Sequence, residues 1–508
     1  MSKKRLHSWL IKRKLDVWII SLLVVISATL GAVNMTGYPQ RFEDEGTYMS
    51  QAWAIQKRGA LTHYTYWYDH PPAGWIQLAG YTSSTNALNR YRSAITAGRE
   101  FMLVLHLIVI VLLFILARRL GIGSLAAGIG TLFYSLSPLT VEFSRYVLLD
   151  NVALPWFLAA FVLALSPRRH IKTAVGAAIC MSIAVLSKET FIVLMPVLLY
   201  GLWYYGDIRN RRYMITVFGV VFAMLIGTYV LYAALKNELF PGVGHVSLLG
   251  SMLWQIAGRE GSGSIFDAQS SSRGLIAYWL RIDYWMMLAG IAALPFAFFY
   301  RKLRVAGVGL LIGLILLLRG GYLPYPYIVA ILPFAALIFA GALHHVVITP
   351  LQKKRDSAAY QLLARILLVD LAIITALFIA PVWYSKLRIL TTVDQDSSSR
   401  QAVDWAVENI SPRGNRLVVE SAIWTDLEDR GFSQPDPIWL YKTETDQAVV
   451  KTIGGWRGIN YVILNGTTVG AKDFERTFPT LSEAINHSQI VTQFGTDNQR
   501  VLIYKVQH

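Results

Sequence analysis

Long apolar runs alternate with short polar segments along the first 384 residues of the chain. Each run approaches the roughly 20 residues that an α-helix needs to cross the hydrocarbon core of a bilayer. In lipid such a run must be helical, because a helix satisfies its backbone N–H and C=O groups within the segment. The runs occupy residues 16–35, 100–117, 124–139, 151–166, 172–187, 190–205, 213–234, 280–299, 303–318, 326–346 and 362–384. The pattern predicts a polytopic α-helical membrane protein with about eleven transmembrane helices.

The remaining part of the chain, residues 385–508, has no long apolar run. Segments 416–420, 461–464, 490–494 and 501–506 have the pattern of strands, and residues 400–409 have that of a helix that buries Ala402 and Ala406. We therefore expect two parts. Residues 1–384 form a transmembrane module, and residues 385–508 form a soluble domain with mixed α/β structure.

The charge distribution orients the chain in the membrane. Hydrophobic residues make up 54% of the sequence and charged residues 15%, against about 25% charged residues in an ordinary soluble domain. The net charge of +16 arises in the membrane part, because residues 385–508 carry 13 basic and 15 acidic side chains. Basic residues mark alternate loops, as in Lys3, Lys4, Arg5, Arg118, Arg119, Arg209, Arg211, Arg212, Lys353, Lys354 and Arg355. This positive-inside pattern argues against a nucleic-acid partner and predicts a plasma-membrane protein with a cytoplasmic N-terminus and an extracytoplasmic C-terminal domain.

The other set of loops holds most of the acidic residues, so we expect the acidic chemistry on the outer face. These residues are Glu43, Asp44, Glu45, Asp69, Glu142, Asp150, Glu189, Glu260, Asp267 and Asp283. The adjacent pair Asp44 and Glu45 stands out, because a carboxylate beside a membrane cavity can serve as a general base. The pair could instead cap or favour the N-terminus of a helix predicted to start at Thr47 and to end near Gly59. The spacing alone leaves both interpretations open.

Several cationic or potentially cationic side chains also fall on outer loops or outer helix ends. Each of them could snorkel to water or pack, but as a converging set they could bind a lipid phosphate. We assign donor-phosphate binding to His70, Arg145, Lys188, Arg273, Arg281 and Arg319. For His70 taken alone, packing is the simpler interpretation.

Several motifs, taken as a set, resemble a known family. They are the acidic pair after the first run, Tyr68 followed by Pro71 and Pro72, Arg-x-x-x-Leu-Asp at 145–150, Ser-Lys-Glu at 187–189 and the stretch 325–334. Over about residues 15–350, this set is similar to the GT-C glycosyltransferases. Within them it most resembles the glycosyltransferase 39 group, which contains protein O-mannosyltransferases and the aminoarabinose transferase of lipid A. The chain departs from the aminoarabinose transferases at His70, where those enzymes place a lysine that contacts the phosphate.

The resemblance implies a membrane glycosyltransferase that moves one sugar from a polyprenyl-phosphate donor to an acceptor on the outer face, with inversion. The sugar is a hexose or a pentose, and the acceptor is a lipid, a glycan or a protein. Asp44 would be the general base and Glu45 its partner, while Lys188 and Arg319 would lie near the lipid phosphate. We assign sugar or acceptor binding to nearby polar side chains, Tyr48, Tyr68, Asp69, Asp150, Glu189 and Tyr325.

No cofactor is indicated, and Cys180, the single cysteine, excludes an intramolecular disulfide. No Cys and His cluster has the spacing of a zinc site, although Asp44, Glu45 and Asp150 could share a divalent ion. The alternative function is a transporter or flippase of a lipid-linked sugar. A transporter would also need cations near a phosphate, but it would not need the acidic pair or a large outer domain, and transporters often show internal repeats, which are absent here. A structural scaffold would leave the acidic loop unexplained.

Overall fold

The computed structural model describes residues 3–60, 68–168, 170–206, 208–242, 246–319, 321–352 and 357–508, with side chains from Lys14 onward. The predicted basic loop 353–355 lies outside these residues. The first part is helical, as the apolar runs predict. Its α-helices are α1 (Lys3–Ala32), α2 (Glu43–Arg58), α3 (Ala73–Ser84), α4 (Ala87–Arg90), α5 (Ala94–Arg119), α6 (Ser124–Leu136), α7 (Pro138–Arg145), α8 (Leu149–Ala164), α9 (Ile171–Ser187), α10 (Met195–Tyr205), α11 (Arg211–Leu235), α12 (Leu248–Leu253), α13 (Ser271–Phe299), α14 (Arg304–Leu317), α15 (Leu332–Ala342), α16 (Thr349–Gln352), α17 (Ala358–Ile374) and α18 (Ala380–Thr392). The 3-10 segments are Glu189–Leu194, Arg301–Leu303 and Tyr325–Ala330, and the π segments are Trp254–Gly258, Leu343–Ile348 and Thr375–Ile379.

Each predicted apolar run lies on one of these helices or on consecutive helical segments. Within the described ranges, six helices are long and apolar enough to cross a membrane, and a seventh span results if α6 and α7, which meet at a bend of 61°, count as one. Three further predicted runs, on α8, on α9 and on Glu189–Tyr205, form shorter apolar helices. At 1.5 Å per residue, the 16 residues of α8 extend only about 24 Å. The chain is a multi-pass membrane protein.

Two helix breaks meet inside the helical part. Ser137 separates α6 from α7, and its hydroxyl donates a hydrogen bond to Asp283 at 2.6 Å. Asp283 interrupts α13 with φ −157° and ψ 104°, and it also accepts the indole N–H of Trp383 at 3.0 Å. The sequence places Asp283 among the outer-loop acids, whereas the structure buries its carboxylate between helices. The expectation fails because an internal hydrogen-bond acceptor at a helix break has no signature in a hydropathy pattern.

The segment that follows α1 contains the helix α2. This helix begins at Glu43, four residues before the predicted start, so both members of the acidic pair lie in its first turn. It ends as predicted at Gly59, whose φ of 65° is in the left-handed region that glycine adopts without steric cost.

The C-terminal part is a mixed α/β unit, as predicted. Its helices are α19 (Ser397–Asn409), α20 (Ser421–Glu428), α21 (Lys442–Thr445), α22 (Gln447–Ile453), α23 (Gly466–Val469), α24 (Phe474–Thr477) and α25 (Pro479–Asn486). Its strands are β1 (Leu417–Val419), β2 (Ile438–Trp439), β3 (Tyr461–Asn465), β4 (Ser488–Phe494) and β5 (Val501–Val506), in the sheet order β2-β1-β3-β5-β4. The β1 strand is parallel to β2 and β3, whereas β5 is antiparallel to β3 and β4. The two-residue strand β2 is the one that the sequence pattern misses.

The C-terminal unit is docked on α2. The buried guanidinium of Arg41 bridges Asp396, at 2.7 Å, and Asp426, at 2.8 Å. One turn into α2, a Cβ atom at Gly46 would lie 2.2 Å from backbone atoms of Ser421, so α20 requires glycine there. This close approach fixes the C-terminal unit against the helix that carries the acidic pair.

Candidate active site

The two members of the acidic pair have different environments. Asp44 is half-buried, and its carboxylate accepts no hydrogen bond from any other residue in the described ranges. The N-cap position of α2 belongs to Phe42, without a side-chain cap. Asp44 is therefore not the N-cap residue, although it lies in the first helical turn, where a negative charge is favourable. Asp44 and Tyr48 lie one turn apart on α2, and the charge of Asp44 raises the pKa of both Tyr48 and Lys188.

Glu45 is turned away from these groups. Its side chain is fully buried and pairs with Arg99 through two contacts, at 3.0 Å and 2.8 Å. It also accepts the backbone N–H of Val147 at 3.0 Å. These contacts correct the assignment of Glu45 as a catalytic residue, because an acid with this geometry ties α2 to α5 and does not face a substrate. They also leave Asp44 and Asp150 without the third carboxylate of the proposed divalent-ion site.

His70 lies at the centre of a polar cluster. Its Nδ1 is 3.0 Å from Glu189, and its Nε2 is 3.2 Å from the ammonium of Lys188 and 3.3 Å from the hydroxyl of Tyr48. Because a charged lysine can only donate, Nε2 must accept, and the ring proton belongs on Nδ1, where it is donated to Glu189. His70 therefore positions Lys188 and is not itself directed at a ligand.

Lys188 carries the positive charge of this cluster. Burial by itself lowers the pKa of the ammonium, but Glu189, Asp150 and Asp44 raise it, and the net shift is upward. The group is therefore charged at neutral pH. Among the described contacts, only one of its three N–H donors is used, on His70. Two donors remain for a ligand.

Two more predicted acids lie beside this cluster. Asp150 is 4% exposed, and its Oδ2 atom has no hydrogen-bond partner in the described part of the chain. Burial raises the pKa of Asp69, and the nearby positive charge of Lys442 opposes this shift. Tyr48 is buried, and burial together with the charge of Asp44 raises the pKa of its hydroxyl well above the usual range. This tyrosine is therefore a hydrogen-bond donor at all physiological pH values.

Of the six predicted donor-phosphate residues, the described contacts bring only His70 and Lys188 together. Arg145 is buried and donates to four backbone carbonyls, those of Leu30, Val33, Tyr38 and Leu390. It holds the end of α1 and cannot reach a phosphate in this arrangement, which corrects its assignment. Arg319 is exposed and bonds to the carbonyl of Tyr322 in its own loop, while Arg273 and Arg281 are exposed on α13.

Two predicted sugar-binding tyrosines have other partners. The hydroxyl of Tyr68 donates to Glu238 at 2.7 Å, in a small separate cluster with α11 and α12. The hydroxyl of Tyr325 donates to Tyr278 at 2.9 Å, and Tyr278 in turn donates to Glu142 at 2.5 Å. Both hydroxyls thus donate to other protein groups, and their role in binding a sugar or an acceptor stays a prediction.

The C-terminal unit adds residues that the sequence did not suggest. Lys442 is buried, and burial lowers its pKa to about 8, although Asp69 raises it in part. The neighbouring side chain of Tyr441 lies close to Thr47 on α2. From the loop after α12, the guanidinium of Arg259 stacks on the ring of Tyr322 at 3.5 Å. No sequence signal identifies these residues, because they reach the site through contacts between units far apart in the chain.

Metal ligands are not assembled here. In the described ranges, no three His, Cys, Asp or Glu side chains are grouped so that they could hold a metal ion. What the described residues offer instead is a carboxylate without a hydrogen-bond partner, Asp44, whose charge raises the pKa of the buried ammonium of Lys188.

Comparisons with known proteins agree on the fold. Residues 63–240 match the family model described as dolichyl-phosphate-mannose-protein mannosyltransferase, whereas no curated protein sequence matches the chain. The structure is similar to ArnT from Cupriavidus metallidurans bound to undecaprenyl phosphate, with a TM-score of 0.62 and 12% identity over 96% of this chain and 97% of that one. It is also similar to the archaeal oligosaccharyltransferase AglB from Archaeoglobus fulgidus in complex with an inhibitory peptide and a dolichol-phosphate, with a TM-score of 0.60 and 12% identity over 96% of this chain and 74% of that one. This agreement along nearly the whole length gives the chain the GT-C fold of membrane glycosyltransferases.

Proposed function

We propose that this protein is a membrane glycosyltransferase that moves a single sugar from a polyprenyl-phosphate donor to an acceptor on the outer face. The matched family is named for a dolichyl-phosphate sugar donor, and the two similar structures hold undecaprenyl phosphate and dolichol-phosphate. A donor of this kind cannot leave the bilayer, so its sugar must be transferred by groups at the membrane surface. The observation that carries the proposal is a half-buried carboxylate, Asp44, whose charge raises the pKa of a buried ammonium, Lys188.

The chemistry follows from this pair. The carboxylate of Asp44 accepts the proton of an acceptor hydroxyl, whose oxygen forms a bond to the anomeric carbon. The bond from that carbon to the phosphate oxygen breaks on the opposite side, and its electron pair stays on the leaving polyprenyl phosphate. The attack from one side and departure from the other invert the configuration of the carbon. Because the leaving phosphate is a stable anion, no acid is needed to protonate it.

Lys188 stabilises the charge that develops on the leaving group. Its two unused N–H donors can reach a phosphate oxygen while the third holds His70. His70 fixes the direction of the ammonium, and Glu189 fixes the ring of His70. In this scheme, His70 and Glu189 are positioning residues. Tyr48, which donates from the same side, would orient the sugar or the phosphate.

A measurement of transfer in proteoliposomes tests the base assignment. The donors are undecaprenyl-phosphate-linked hexoses and pentoses, and the acceptor is the lipid and glycan fraction of the cell envelope. We expect Asp44→Asn to lower the rate of transfer by about 100-fold or more, the usual contribution of general base catalysis. The exposed residue Asp473 gives a matched control, because Asp473→Asn removes the same charge far from the site. Transfer at the wild-type rate by Asp44→Asn would refute the assignment, and carrier movement across the bilayer without transfer would favour a transporter.

The proposed topology has a separate test. We propose that the N-terminus lies in the cytoplasm and that the C-terminal unit lies outside the plasma membrane. A cysteine at the exposed position 473, introduced as Asp473→Cys in a Cys180→Ser background, should react in whole cells with a maleimide that does not cross membranes. Reaction only after the cells are opened would reverse the topology.

A further inference from the structure

A second polar cavity lies outside the candidate active site. It has a volume of about 250 Å³ and is formed by α2, by α4 with the turn that follows it, and by the end of α20. Trp53 and Leu88 are buried at its base, while Asn89, Arg92 and Asp429 are exposed at its edge. Trp53 follows Asp44 by nine residues on α2, so the cavity is about 14 Å along the helix from the proposed base.

The lining of this cavity offers hydrogen-bonding groups that are not fully used. The indole N–H of Trp53 donates to one carboxylate oxygen of Asp429 at 3.2 Å, which leaves the other oxygen open. Thr425 is 3% exposed, and its hydroxyl has no hydrogen-bond partner in the part of the chain that the structure describes. A buried hydroxyl without a partner is uncommon, since most such groups are satisfied by protein or water. Here it lines a cavity and can accept or donate to a ligand.

The charges around the cavity are balanced, which favours a neutral ligand. Asp426 is already held by Arg41 at 2.8 Å and by the backbone N–H of Ala94 at 2.7 Å. Arg430 is held by Asp404 at 2.6 Å. A phosphate or a polyanion would face these carboxylates without a concentrated positive charge to compensate for them.

A sugar ring is the ligand whose chemistry matches these groups. Adjacent hydroxyls of a sugar can bond together to a carboxylate such as Asp429 and an amide such as Asn89, which accept and donate, respectively. The half-buried ring of Tyr91 supplies an aromatic surface for the C–H face of a sugar. The volume lies just below the range of pockets for drug-sized ligands, which suits one or two sugar units.

We propose that this cavity binds a neutral saccharide unit of the acceptor and so holds a chain-like acceptor in line with Asp44. Its role in acceptor binding rests on the proposed function, whereas binding of a saccharide by itself does not. An acceptor that reaches both sites must extend along α2 over the distance between them. The site would therefore favour acceptors with several linked units over single sugars.

Direct binding measurements test the saccharide site. The full chain is placed in lipid nanodiscs without sugar-based detergent. The probes are mannotriose, maltotriose and cellotriose, and their binding is measured by saturation-transfer NMR and by calorimetry. We expect at least one trisaccharide to bind, and Asp429→Asn to weaken that binding about tenfold, as expected for the loss of one charge-assisted hydrogen bond. The asparagine of this variant keeps an oxygen that can accept the hydrogen bond from the indole N–H of Trp53. The second variant, Tyr91→Ala, should weaken trisaccharide binding by a comparable factor. Melting temperatures confirm that each variant is folded.

The controls separate this proposal from the proposed function. Asp473→Asn and Asp44→Asn should bind the trisaccharide as the wild type does. In transfer assays with a chain-like acceptor, Asp429→Asn should raise the acceptor KM and leave kcat nearly unchanged. Absence of binding by all three probes, or full binding by both Asp429→Asn and Tyr91→Ala, would overturn the saccharide site while leaving the base assignment intact. Loss of binding in Asp44→Asn would also overturn it, because the trisaccharide would then occupy the active site.

Discussion

The substitution Glu45→Gln separates the roles of the two adjacent acids. Glu45 pairs with Arg99 across the α2–α5 interface, and the side chains are 0% and 1% exposed. Glutamine has nearly the same shape but carries no charge, and its amide group offers only one oxygen to the two guanidinium N–H groups. The substitution therefore leaves the buried guanidinium of Arg99 without the carboxylate that pairs with it.

The geometry sets the size of the effect. Breaking a buried ion pair by removing one partner costs about 3–5 kcal/mol, because the remaining charge is desolvated and unpaired. The amide of Val147 also depends on Glu45. Since glutamine preserves packing and can keep one of these contacts, we expect the free energy of unfolding to fall by about 3 kcal/mol.

Thermal unfolding in detergent, followed in parallel with transfer activity, measures this effect. Glu45→Gln should lower the melting temperature clearly, and the fraction that stays folded should retain transfer at low temperature. Asp44→Asn should instead keep a near wild-type melting temperature and slow transfer by about 100-fold or more. The double variant Glu45→Gln/Arg99→Met should recover part of the lost stability, because the unpaired charge is gone. A stable but inactive Glu45→Gln protein would refute the structural role and return Glu45 to the catalytic group.

Three further predictions test the charges and the packing of the site. Lys188→Met should lower kcat for transfer by about 100-fold, the usual effect of losing one electrostatic donor, and Lys188→Arg should restore part of it in the same kinetic assay. Glu43 has its pKa raised to about 8 by burial and by Glu420; the folded state therefore binds more protons than the unfolded state above pH 4.5, and stability should fall as pH rises toward 8. Melting temperatures measured across that range should be flatter for Glu43→Gln, and an unchanged slope would contradict the shift. Gly46→Ala should destabilise the protein by about 1–3 kcal/mol in thermal unfolding, because its Cβ meets the backbone of Ser421; a neutral effect would mean that α20 can move away.

Local patterns in the sequence predict those parts of the structure that local physics decides. An apolar run must become a helix in lipid, so every predicted run lies on helical segments, although the number that crosses the bilayer depends on how shorter helices such as α8 pack. Gly59 ends α2 because its conformation is a property of one residue. The same reasoning fails for Arg145, whose bonds to four backbone carbonyls depend on the tertiary arrangement of distant helices. Lys442 is missed for a related reason, because it comes from the C-terminal unit.

Asp44 and Glu45 have different surroundings for a geometric reason. This reason follows from the sequence only when the first residue of α2 is known. Successive residues on an α-helix project about 100° apart, so two adjacent acids cannot face the same space. With the helix starting at Glu43, Glu45 points to Arg99 in the membrane module, and Glu43 meets Ser421 of the C-terminal unit. Asp44 is thus the one acid of the turn without a partner among the described residues, and its neighbours on both sides are anchored to different parts of the molecule. A base must be held close to its reacting atom, because a displacement of about 1 Å can cost 100-fold in rate. In the proposed mechanism, the ion pair of Glu45 on one side and the interface contact of Glu43 on the other hold Asp44 in place as the base.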